Sequence, residues 1–380
     1  MSRRYRVLHV IDSLGLGGAQ SVLINLLRYA DRSLFELDVA TMSGRGVYWD
    51  RVQALGVPVR ALSFSRAVPV YVPSMIITCL KRRYDIVHTH LIGANVIAKP
   101  LAALCGVKIR INHDHCNDKD SDPRRWVPIA DKISNHLSTH VIAVSQSTRD
   151  YLINHEHMPQ DRVTTIHNGI DLETFYPCRE QRTAARQRLG LPTDAFIVAG
   201  IGRLSYQKNF SLFLDVAAAV VAQRPTAYFV IAGTGPEEQQ LRDRAARLGI
   251  AQRLRFLGYI DDMPKLYPAV DAFLLTSRYE GLPITILEAM ATGTTIVSSM
   301  LDGVAEIIRD GEDGALVPPT DIDGFVRRLC ELIDRPDIVA RRSAAGLHKV
   351  QNGFSAQSVA RAVEDVYLKC LDRSTVPQRA

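Results

Sequence analysis

The chain lacks long apolar runs, paired cysteines and low-complexity segments, and each absence excludes a class of protein. A membrane-spanning helix needs about 20 consecutive apolar residues, and no run in the sequence is that long. The cysteines include no C-x-x-C pair, which favours free thiols in a reducing compartment. The first apolar run turns polar at Asp12, too soon for a signal peptide. We therefore expect a cytoplasmic protein with reduced cysteines at Cys79, Cys105, Cys116, Cys178, Cys330 and Cys370.

Apolar residues and positive charge are both plentiful. Hydrophobic residues make up 47% of 380 residues, enough for the cores of about two or three domains. The net charge is +6, with basic residues grouped in the first half at Arg3, Arg4, Arg6, Lys81, Arg82, Arg83, Arg124 and Arg125. Such a charge suits an anionic membrane surface, a phosphorylated substrate, or a basic face with no partner. No nucleic-acid-binding pattern accompanies it, so we expect no nucleic acid partner.

Short apolar segments alternate with helical patterns along the whole chain, which predicts parallel strands joined by right-handed crossovers. In the first half the predicted strands are Tyr5–Ile11, 36–41, 57–61, 86–89, 108–112, 140–144 and 163–166. In the second half they are Phe196–Ile201, 228–232, 254–257, Ala272–Leu275, 295–298 and Ala315–Val317. The fold class is therefore α/β, with two doubly wound, Rossmann-like series.

A glycine loop follows the first predicted strand and precedes a predicted helix over 19–29. Gly15 and Gly17 fit a dinucleotide-binding G-x-G-x-x-G pattern, but Gln20 occupies the third glycine position. This disfavours an NAD-dependent enzyme. Gly17 and Gly18 let the backbone approach a ligand closely, although an ordinary strand-to-helix turn would also use them.

Two loop cations follow the first strand of the second half, in Gly202-Arg203-Leu204-Ser205-Tyr206-Gln207-Lys208-Asn209. Ligands of open α/β sheets bind at the carboxyl ends of strands. Arg203 can contact two oxygens of a diphosphate, and Lys208 supplies a point charge. Surface charge without a ligand is the alternative.

The segment Tyr279-Glu280-Gly281-Leu282-Pro283-Ile284-Thr285-Ile286-Leu287-Glu288-Ala289-Met290 is predicted to pass from a loop into a helix. Pro283 suits the first helical position. A helix N-terminus carries exposed N–H groups and partial positive charge, and phosphate is its natural ligand. Glu280 and Glu288 would repel phosphate, but they suit hydroxyl groups of a sugar or ribose. The alternative is a capped helix with one exposed and one half-buried glutamate.

The order and spacing of these segments resemble glycosyltransferase family 4, the GT-B type retaining glycosyltransferases that use nucleotide-sugars. The resemblance covers nearly the whole chain and implies two Rossmann-like domains facing across a cleft. It implies a first domain over 1–172 for the acceptor, a second over 173–354 for the nucleotide-sugar, and a last helix, in 355–380, that returns to the first domain. The segment Ser298–Glu306 departs from the family pattern, with Asp302 in place of a glycine.

The resemblance also implies the site residues. His113, Arg203, Lys208 and Glu280 are expected to be catalytic. The expected donor-binding residues are Gly17, Gly18, Asn168, Gly202, Gly233, Ile260, Gly281, Leu282, Pro283 and Glu288. The Asp321-Ile322-Asp323 pattern opens a late helix rather than a strand-end loop, so we expect no metal and no cofactor.

Histidines are clustered in His88-Thr89-His90 and in His113-Asp114-His115-Cys116. The second cluster suits zinc by composition, but we expect its neighbouring side chains to point in different directions. The resemblance instead places His113 at the donor sugar, with His115 as the alternative if the register differs by two.

The expected reaction transfers a sugar from a UDP- or GDP-sugar to a hydroxyl of a carbohydrate or lipid-linked acceptor. An epimerase of the same fold and a catalytically silent binding subunit are the alternatives. The segment 68–83 combines apolar residues with Lys81, Arg82 and Arg83, so it predicts either a core-facing helix or contact with an anionic membrane.

Overall fold

A computed structural model describes residues 3–62, 71–115 and 126–375. The chain separates into two compact units. The first contains the described residues up to Gly169 together with those from Ala356 onward, and the second is Ile170–Ser355.

The first unit is built on a seven-stranded parallel sheet with strand order β3-β2-β1-β4-β5-β6-β7. Its strands are β1 Tyr5–Ile11, β2 Phe35–Thr41, β3 Val59–Ala61, β4 Ile86–His90, β5 Ile109–Asp114, β6 His140–Ala143 and β7 Val163–Thr165. Its helices before residue 169 are α1 Gly18–Tyr29, α2 Trp49–Ala54, α3 Tyr71–Arg82, α4 Ile92–Leu104, α5 Trp126–His136 and α6 Gln146–Asn154. Leu8, Val10 and Val87 pack with Met75 of α3 and Ala98 of α4 in a buried core on one side of the sheet.

The second unit has a six-stranded parallel sheet with strand order β10-β9-β8-β11-β12-β13. Its strands are β8 Phe196–Ile201, β9 Ala227–Ala232, β10 Leu254–Gly258, β11 Ala272–Leu275, β12 Thr295–Ser299 and β13 Ala315–Val317. Its helices are α7 Arg182–Leu189, α8 Phe210–Gln223, α9 Glu238–Arg247, α10 Ile284–Ala291, α11 Asp302–Ala305, α12 Ile322–Asp334 and α13 Pro336–Gly353. Phe213, Phe229 and Phe325 lie in its core and are fully buried.

The last helix, α14 Ala356–Thr375, belongs to the first unit. The Tyr367 hydroxyl lies 2.6 Å from His88 Nδ1, and its ring meets Phe35 edge to face. The Asp31 backbone N–H donates to Glu364 at 2.6 Å. These contacts hold α14 against the sheet on the side away from the α3–α4 core.

Strand order reverses between β1 and β4 in the first sheet, and between β8 and β11 in the second. At such a point the crossovers leave in opposite directions, and a crevice opens outside the carboxyl ends of the strands. The loops after β8 and β11 therefore meet at the expected ligand-binding edge of the second unit.

Each predicted strand is present, with bounds that differ by no more than two residues. Ser145 caps α6 as N-cap, because its side chain accepts a hydrogen bond from the Thr148 N–H. The position predicted for Pro283 is wrong by one residue. Pro283 is the extended N-cap of α10 (φ −72°, ψ 116°), and the helix begins at Ile284.

Several basic residues of the first half are neutralised by carboxylates. Arg6 pairs with Glu36 at 3.2 Å, and Arg82 pairs with Asp38 at 3.0 Å. Arg124 and Arg125 lie outside the described residues, as does Cys116. The other five cysteines are free thiols. No helix in the described parts of the chain is long and apolar enough to cross a bilayer.

Candidate functional site

The loops after β8 and β11 are joined by an ion pair. Lys208 Nζ lies 2.5 Å from Glu280 Oε1, and both side chains are largely buried. Ser277 Oγ donates to the same carboxylate oxygen at 2.6 Å. The structure therefore brings together two predicted site residues that are 72 positions apart in the chain.

Further hydrogen bonds fix these two loops against each other. Thr276 Oγ1 lies 3.2 Å from the carbonyl oxygens of Lys208 and Asn209. The Gln207 side chain donates to the Tyr279 carbonyl at 3.1 Å, and the Arg278 N–H donates to the Gln207 carbonyl at 2.8 Å. The Lys208–Glu280 pair is therefore held by backbone as well as by charge.

Arg203 lies in the same loop after β8, five residues before Lys208, and its side chain is exposed. Among the described residues, its guanidinium has no hydrogen-bond or ion-pair partner. A guanidinium presents several N–H donors in a planar fork that fits phosphate oxygens. Arg203 is therefore available to an anionic ligand without first breaking an internal contact.

Glycines bring the adjacent loops into close backbone contact. Gly233 has φ +140°, and a Cβ at this position would lie 1.9 Å from the Gly202 carbonyl oxygen. The Gly233 N–H donates to the Gly258 carbonyl at 2.7 Å. Ile260, the residue expected to read the base, lies half-buried two positions after Gly258. Gly202, Gly233 and the loop that carries Ile260 therefore lie side by side at the carboxyl ends of β8, β9 and β10.

The segment that leads into α10 is buried at Glu280, Gly281, Leu282 and Pro283. A Cβ on Gly303, the second residue of α11, would lie 1.8 Å from the Gly281 carbonyl oxygen. This close approach fixes the loop just before the N-terminus of α10. That terminus supplies partial positive charge on the same edge as Arg203.

Glu288 lies one turn into α10 and is 7% exposed. Its carboxylate accepts a hydrogen bond from the Tyr267 hydroxyl at 2.8 Å. Burial raises the pKa of Glu288 to about 7, although the Tyr267 hydrogen bond opposes the shift. A second hydroxyl donor, such as a ribose, would add to the stabilisation of the ionised form.

The predicted residues of the first unit lie on three of its loops and strands. Gly17 is the N-cap of α1 and Gly18 its first residue, and both are exposed. A Cβ on Gly17 would lie 2.5 Å from Gln20 Oε1. Gln20, where a dinucleotide site would have glycine, donates instead to the Ser13 carbonyl at 3.1 Å. Asn168 is 4% exposed in the loop after β7.

We expected the side chains of the second histidine cluster to point in different directions. This expectation is wrong for His113 and His115. Alternate residues of an extended strand project to the same face of a sheet. The rings of His113 and His115 stack at 4.5 Å between centroids, and His90 of the neighbouring strand lies 5.4 Å from His113. Burial lowers the pKa of His90 and His113 well below the usual value, so both rings are neutral at pH 7.

Three residues of the site were not predicted from the sequence. Ser277 and Tyr267 hydrogen-bond to the two glutamates, and Gly303 supports the loop before α10. Gly303 itself was visible in the sequence, because it follows Asp302 in the segment that departs from the family pattern. Nothing in the local pattern distinguishes Tyr267, because its role depends on where α10 packs.

Two family models match the chain. The model described as glycosyl transferases group 1 matches residues 181–348, and the model described as glycosyltransferase family 4 matches residues 16–174. Between them the two models span most of both units.

Relatives of the chain are found among curated proteins. The chain is 29% identical over 295 residues to the Escherichia coli UDP-Gal:alpha-D-GlcNAc-diphosphoundecaprenol alpha-1,3-galactosyltransferase, which covers 76% of each chain. It is 30% identical over 318 residues to the Thermobispora bispora D-inositol 3-phosphate glycosyltransferase, covering 78% of this chain and 73% of the relative. It is 31% identical over 303 residues to an uncharacterised Methanocaldococcus jannaschii glycosyltransferase, covering 76% and 72%.

Solved structures show the same fold. Anabaena HepE in complex with UDP-glucose superposes with a TM-score of 0.86 at 22% identity, covering 96% of this chain and 99% of HepE. Sucrose-phosphate synthase from Thermosynechococcus elongatus gives 0.82 at 19% identity, covering 97% and 100%. The fold that this chain shares with both structures is the GT-B fold.

Proposed function

The chain belongs to the group 1 glycosyl transferases, and from this membership we propose that it transfers a sugar from a UDP-sugar to a hydroxyl of a lipid-linked or polysaccharide acceptor. The second unit binds the nucleoside diphosphate. UDP is favoured over GDP because HepE was solved with UDP-glucose and the Escherichia coli relative is named for UDP-Gal.

The observation that carries this proposal is the Lys208–Glu280 pair at the point where strand order reverses, with Arg203 exposed in the same loop as Lys208. A carboxylate alone would repel a diphosphate. Lys208 compensates the charge of Glu280, so the carboxylate can accept hydrogen bonds from sugar hydroxyls close to the phosphates. Arg203 and the N-terminus of α10 then stabilise the phosphate charge directly.

The proposed chemistry needs no protein nucleophile. The bond from the anomeric carbon to the phosphate oxygen breaks as the acceptor oxygen attacks from the same face. The acceptor proton passes to the leaving phosphate, and the anomeric configuration is retained. His113 remains a predicted contact of the donor sugar, and Glu288 a predicted acceptor for ribose hydroxyls. No metal is proposed at the diphosphate.

The proposed acceptor class is supported by the relatives and by the surface of the first unit. The Escherichia coli relative is named for a diphosphoundecaprenol acceptor, and a Rhizobium meliloti relative for lipopolysaccharide core biosynthesis. On the first unit, apolar side chains of the neighbouring helices α3, α4 and α5 are exposed. They are Val72, Ile77, Leu80, Leu104, Trp126, Ile129 and Ile133, which we call the apolar face. We propose that this face contacts an anionic membrane; residues 68–70, part of the segment predicted to do so, lie outside the described residues.

A thermal-shift panel of UDP-, GDP- and ADP-sugars tests the donor site. A ligand that binds only the folded protein adds about 2.7 kcal/mol of stability at a free concentration of 100 times its Kd. We expect a rise in Tm with UDP-sugars. Arg203→Ala should weaken binding about 10- to 100-fold, as expected for the loss of charge-assisted hydrogen bonds.

Arg247→Ala is the matched control, because Arg247 is an exposed arginine on α9 of the same unit. If Arg203→Ala and Arg247→Ala both lose the rise in Tm to the same extent, a specific role for Arg203 is contradicted. A shift with GDP- or ADP-sugars alone would overturn the choice of UDP. No shift with any nucleotide-sugar would favour a silent binding subunit.

A further inference from the structure

Five histidines project from one face of the first sheet. His9 lies on β1, His88 and His90 lie on β4, His113 lies on β5, and His115 follows β5 directly. β1, β4 and β5 are neighbours, with His9 opposite His88 and His90 opposite His113. The first four are at most 2% exposed and His115 is half-buried. Parallel strands in register therefore stack these rings in a small volume.

The hydrogen bonds of His90 define its orientation. His90 Nε2 lies 3.1 Å from His9 Nδ1, and His90 Nδ1 lies 3.5 Å from His115 Nε2. When His90 donates its Nε2 hydrogen to His9, its Nδ1 lone pair faces His115. The separation of 3.5 Å is long for a hydrogen bond. It is close to the spacing of about 3.3 Å between two nitrogens bound to one tetrahedral ion at about 2.0–2.1 Å.

His113 adds an unsatisfied donor and acceptor to the same place. Among the parts of the chain that the structure describes, neither of its ring nitrogens has a hydrogen-bond partner, although the side chain is 1% exposed. Leaving such buried polar atoms unpaired costs about 1–3 kcal/mol. One ring nitrogen from each of His90, His113 and His115 lies within 4.8 Å of the other two. A metal ion bound here would take one nitrogen from each ring, and the stacked rings of His113 and His115 would turn so that their lone pairs face it.

We propose that His90, His113 and His115 form a binding site for a divalent transition-metal ion, with Zn²⁺ as the best fit. Three neutral imidazoles suit Zn²⁺, Ni²⁺ or Cu²⁺ rather than Mg²⁺ or Ca²⁺, which prefer oxygen ligands. His9 orients His90 through the hydrogen bond on its second nitrogen, as partners of metal-bound histidines commonly do. Three protein ligands leave a further coordination position for water or a substrate oxygen.

The proposed ion would not be the metal of the transfer reaction. The site belongs to the first unit and contains none of the residues assigned to the diphosphate. A ring nitrogen of His113 that binds the ion is withdrawn from a sugar hydroxyl. Zn²⁺ should therefore inhibit transfer, a consequence that rests on the proposed function, whereas metal binding itself does not.

Calorimetric titration of the metal-free full chain with ZnCl₂ tests the site, and CoCl₂ provides a spectroscopic probe. We expect one equivalent to bind, with the intense visible absorption of tetrahedral Co²⁺, and no competition from MgCl₂. His115→Ala should abolish this binding. His9→Ala should weaken it about 10- to 100-fold, the usual effect of removing the partner of a ligand. His348→Ala is the control, since His348 is an exposed histidine of the second unit.

The binding readout separates this proposal from the proposed function. A chain that binds UDP-sugar but neither Zn²⁺ nor Co²⁺ overturns the metal site alone. Binding that persists in His115→Ala overturns the ligand assignment. If His115→Ala does not fold, the wild-type Co²⁺ spectrum decides, because weak absorption typical of six-coordinate Co²⁺ contradicts a three-histidine site. Zinc binding without inhibition would leave the metal site standing and contradict the sugar role of His113.

Discussion

Lys208 and Glu280 place opposite charges in contact, and each is needed to keep the other buried. The side chains are 16% and 7% exposed, so little water compensates either charge. Without Lys208, the Glu280 carboxylate would still accept a hydrogen bond from Ser277. A serine hydroxyl donates only one hydrogen bond, so it cannot replace the lysine. The pair is therefore expected to serve stability and ligand binding together.

Lys208→Met should destabilise the second unit by about 1–3 kcal/mol, because it leaves the largely buried Glu280 without its counter-charge. Glu280→Gln added to Lys208→Met should recover part of that stability, since the remaining side chain is neutral. The double variant should still lack transferase activity. Urea unfolding and a transfer assay measure the two quantities separately. Recovery of activity in the double variant would contradict the proposed role of the pair.

Glu288 should make the stability of the ligand-free protein depend on pH. Its pKa rises from 4.5 to about 7 on folding, so the folded state favours the protonated form. The stability contributed by this proton is complete below about pH 4.5 and is lost as the pH rises through about 7. The shift corresponds to about 3 kcal/mol.

Glu288→Gln should therefore raise the free energy of unfolding by up to about 3 kcal/mol at pH 8 and leave it nearly unchanged at pH 5. The amide oxygen can still accept the Tyr267 hydrogen bond. Denaturant titration at both pH values measures the effect, with Glu312→Gln on the surface as control. A variant that is destabilised at pH 8 would show that the ionised carboxylate is favoured by the fold. UDP-sugar affinity should fall in Glu288→Gln if the ribose contact is correct.

At the scale of secondary structure, α10 depends on a contact from a different part of the chain. Gly303 in α11 approaches the Gly281 carbonyl more closely than any side chain allows. The helix α10 itself has no side-chain N-cap, because Pro283 occupies that position. The loop before α10 is thus positioned by packing rather than by local capping.

Gly303→Ala should force this loop away from its position and weaken UDP-sugar binding. Overpacking of this kind costs about 1–3 kcal/mol of stability. Gly353→Ala is the matched control, because a Cβ there meets nothing within 4 Å. Isothermal titration with UDP and urea unfolding measure both effects. Normal UDP affinity in a folded Gly303→Ala variant would show that the loop is not part of the donor site.

The strands were predictable because buried parallel strands are continuous apolar runs bounded by polar turns. β1, β8, β11 and β13 have the predicted bounds. The start of α10 was less predictable, since proline fits both the N-cap and the first turn. The convergence of His90 with His113 depends on the pairing of β4 with β5, which no single segment contains. The Tyr267–Glu288 contact depends likewise on tertiary packing.

At the scale of the whole molecule, only some of the basic residues behind the net charge of +6 are available to an anionic partner. Arg3, Arg6 and Arg82 are paired with carboxylates. Lys81 on α3, Arg83 just after α3 and Lys108 four residues after α4 are exposed, close in the chain to apolar-face residues of the same two helices. Positive charge beside exposed apolar side chains is the combination that binds anionic lipid surfaces.

The wild-type chain should therefore sediment with vesicles that contain phosphatidylglycerol at low salt, and not with purely zwitterionic vesicles. Ile129→Asp with Ile133→Asp should reduce the partition coefficient at least about tenfold, because burying one isoleucine side chain contributes about 1.5–3 kcal/mol. Both side chains are 63% exposed, so the variant should fold normally.

Ile322→Asp, the same change at an exposed position of the second unit, should bind like the wild type. Equal binding by all three proteins would mean that charge alone holds the chain at the vesicle. Absence of wild-type binding at low salt would remove the membrane from the proposed function while leaving the donor site intact.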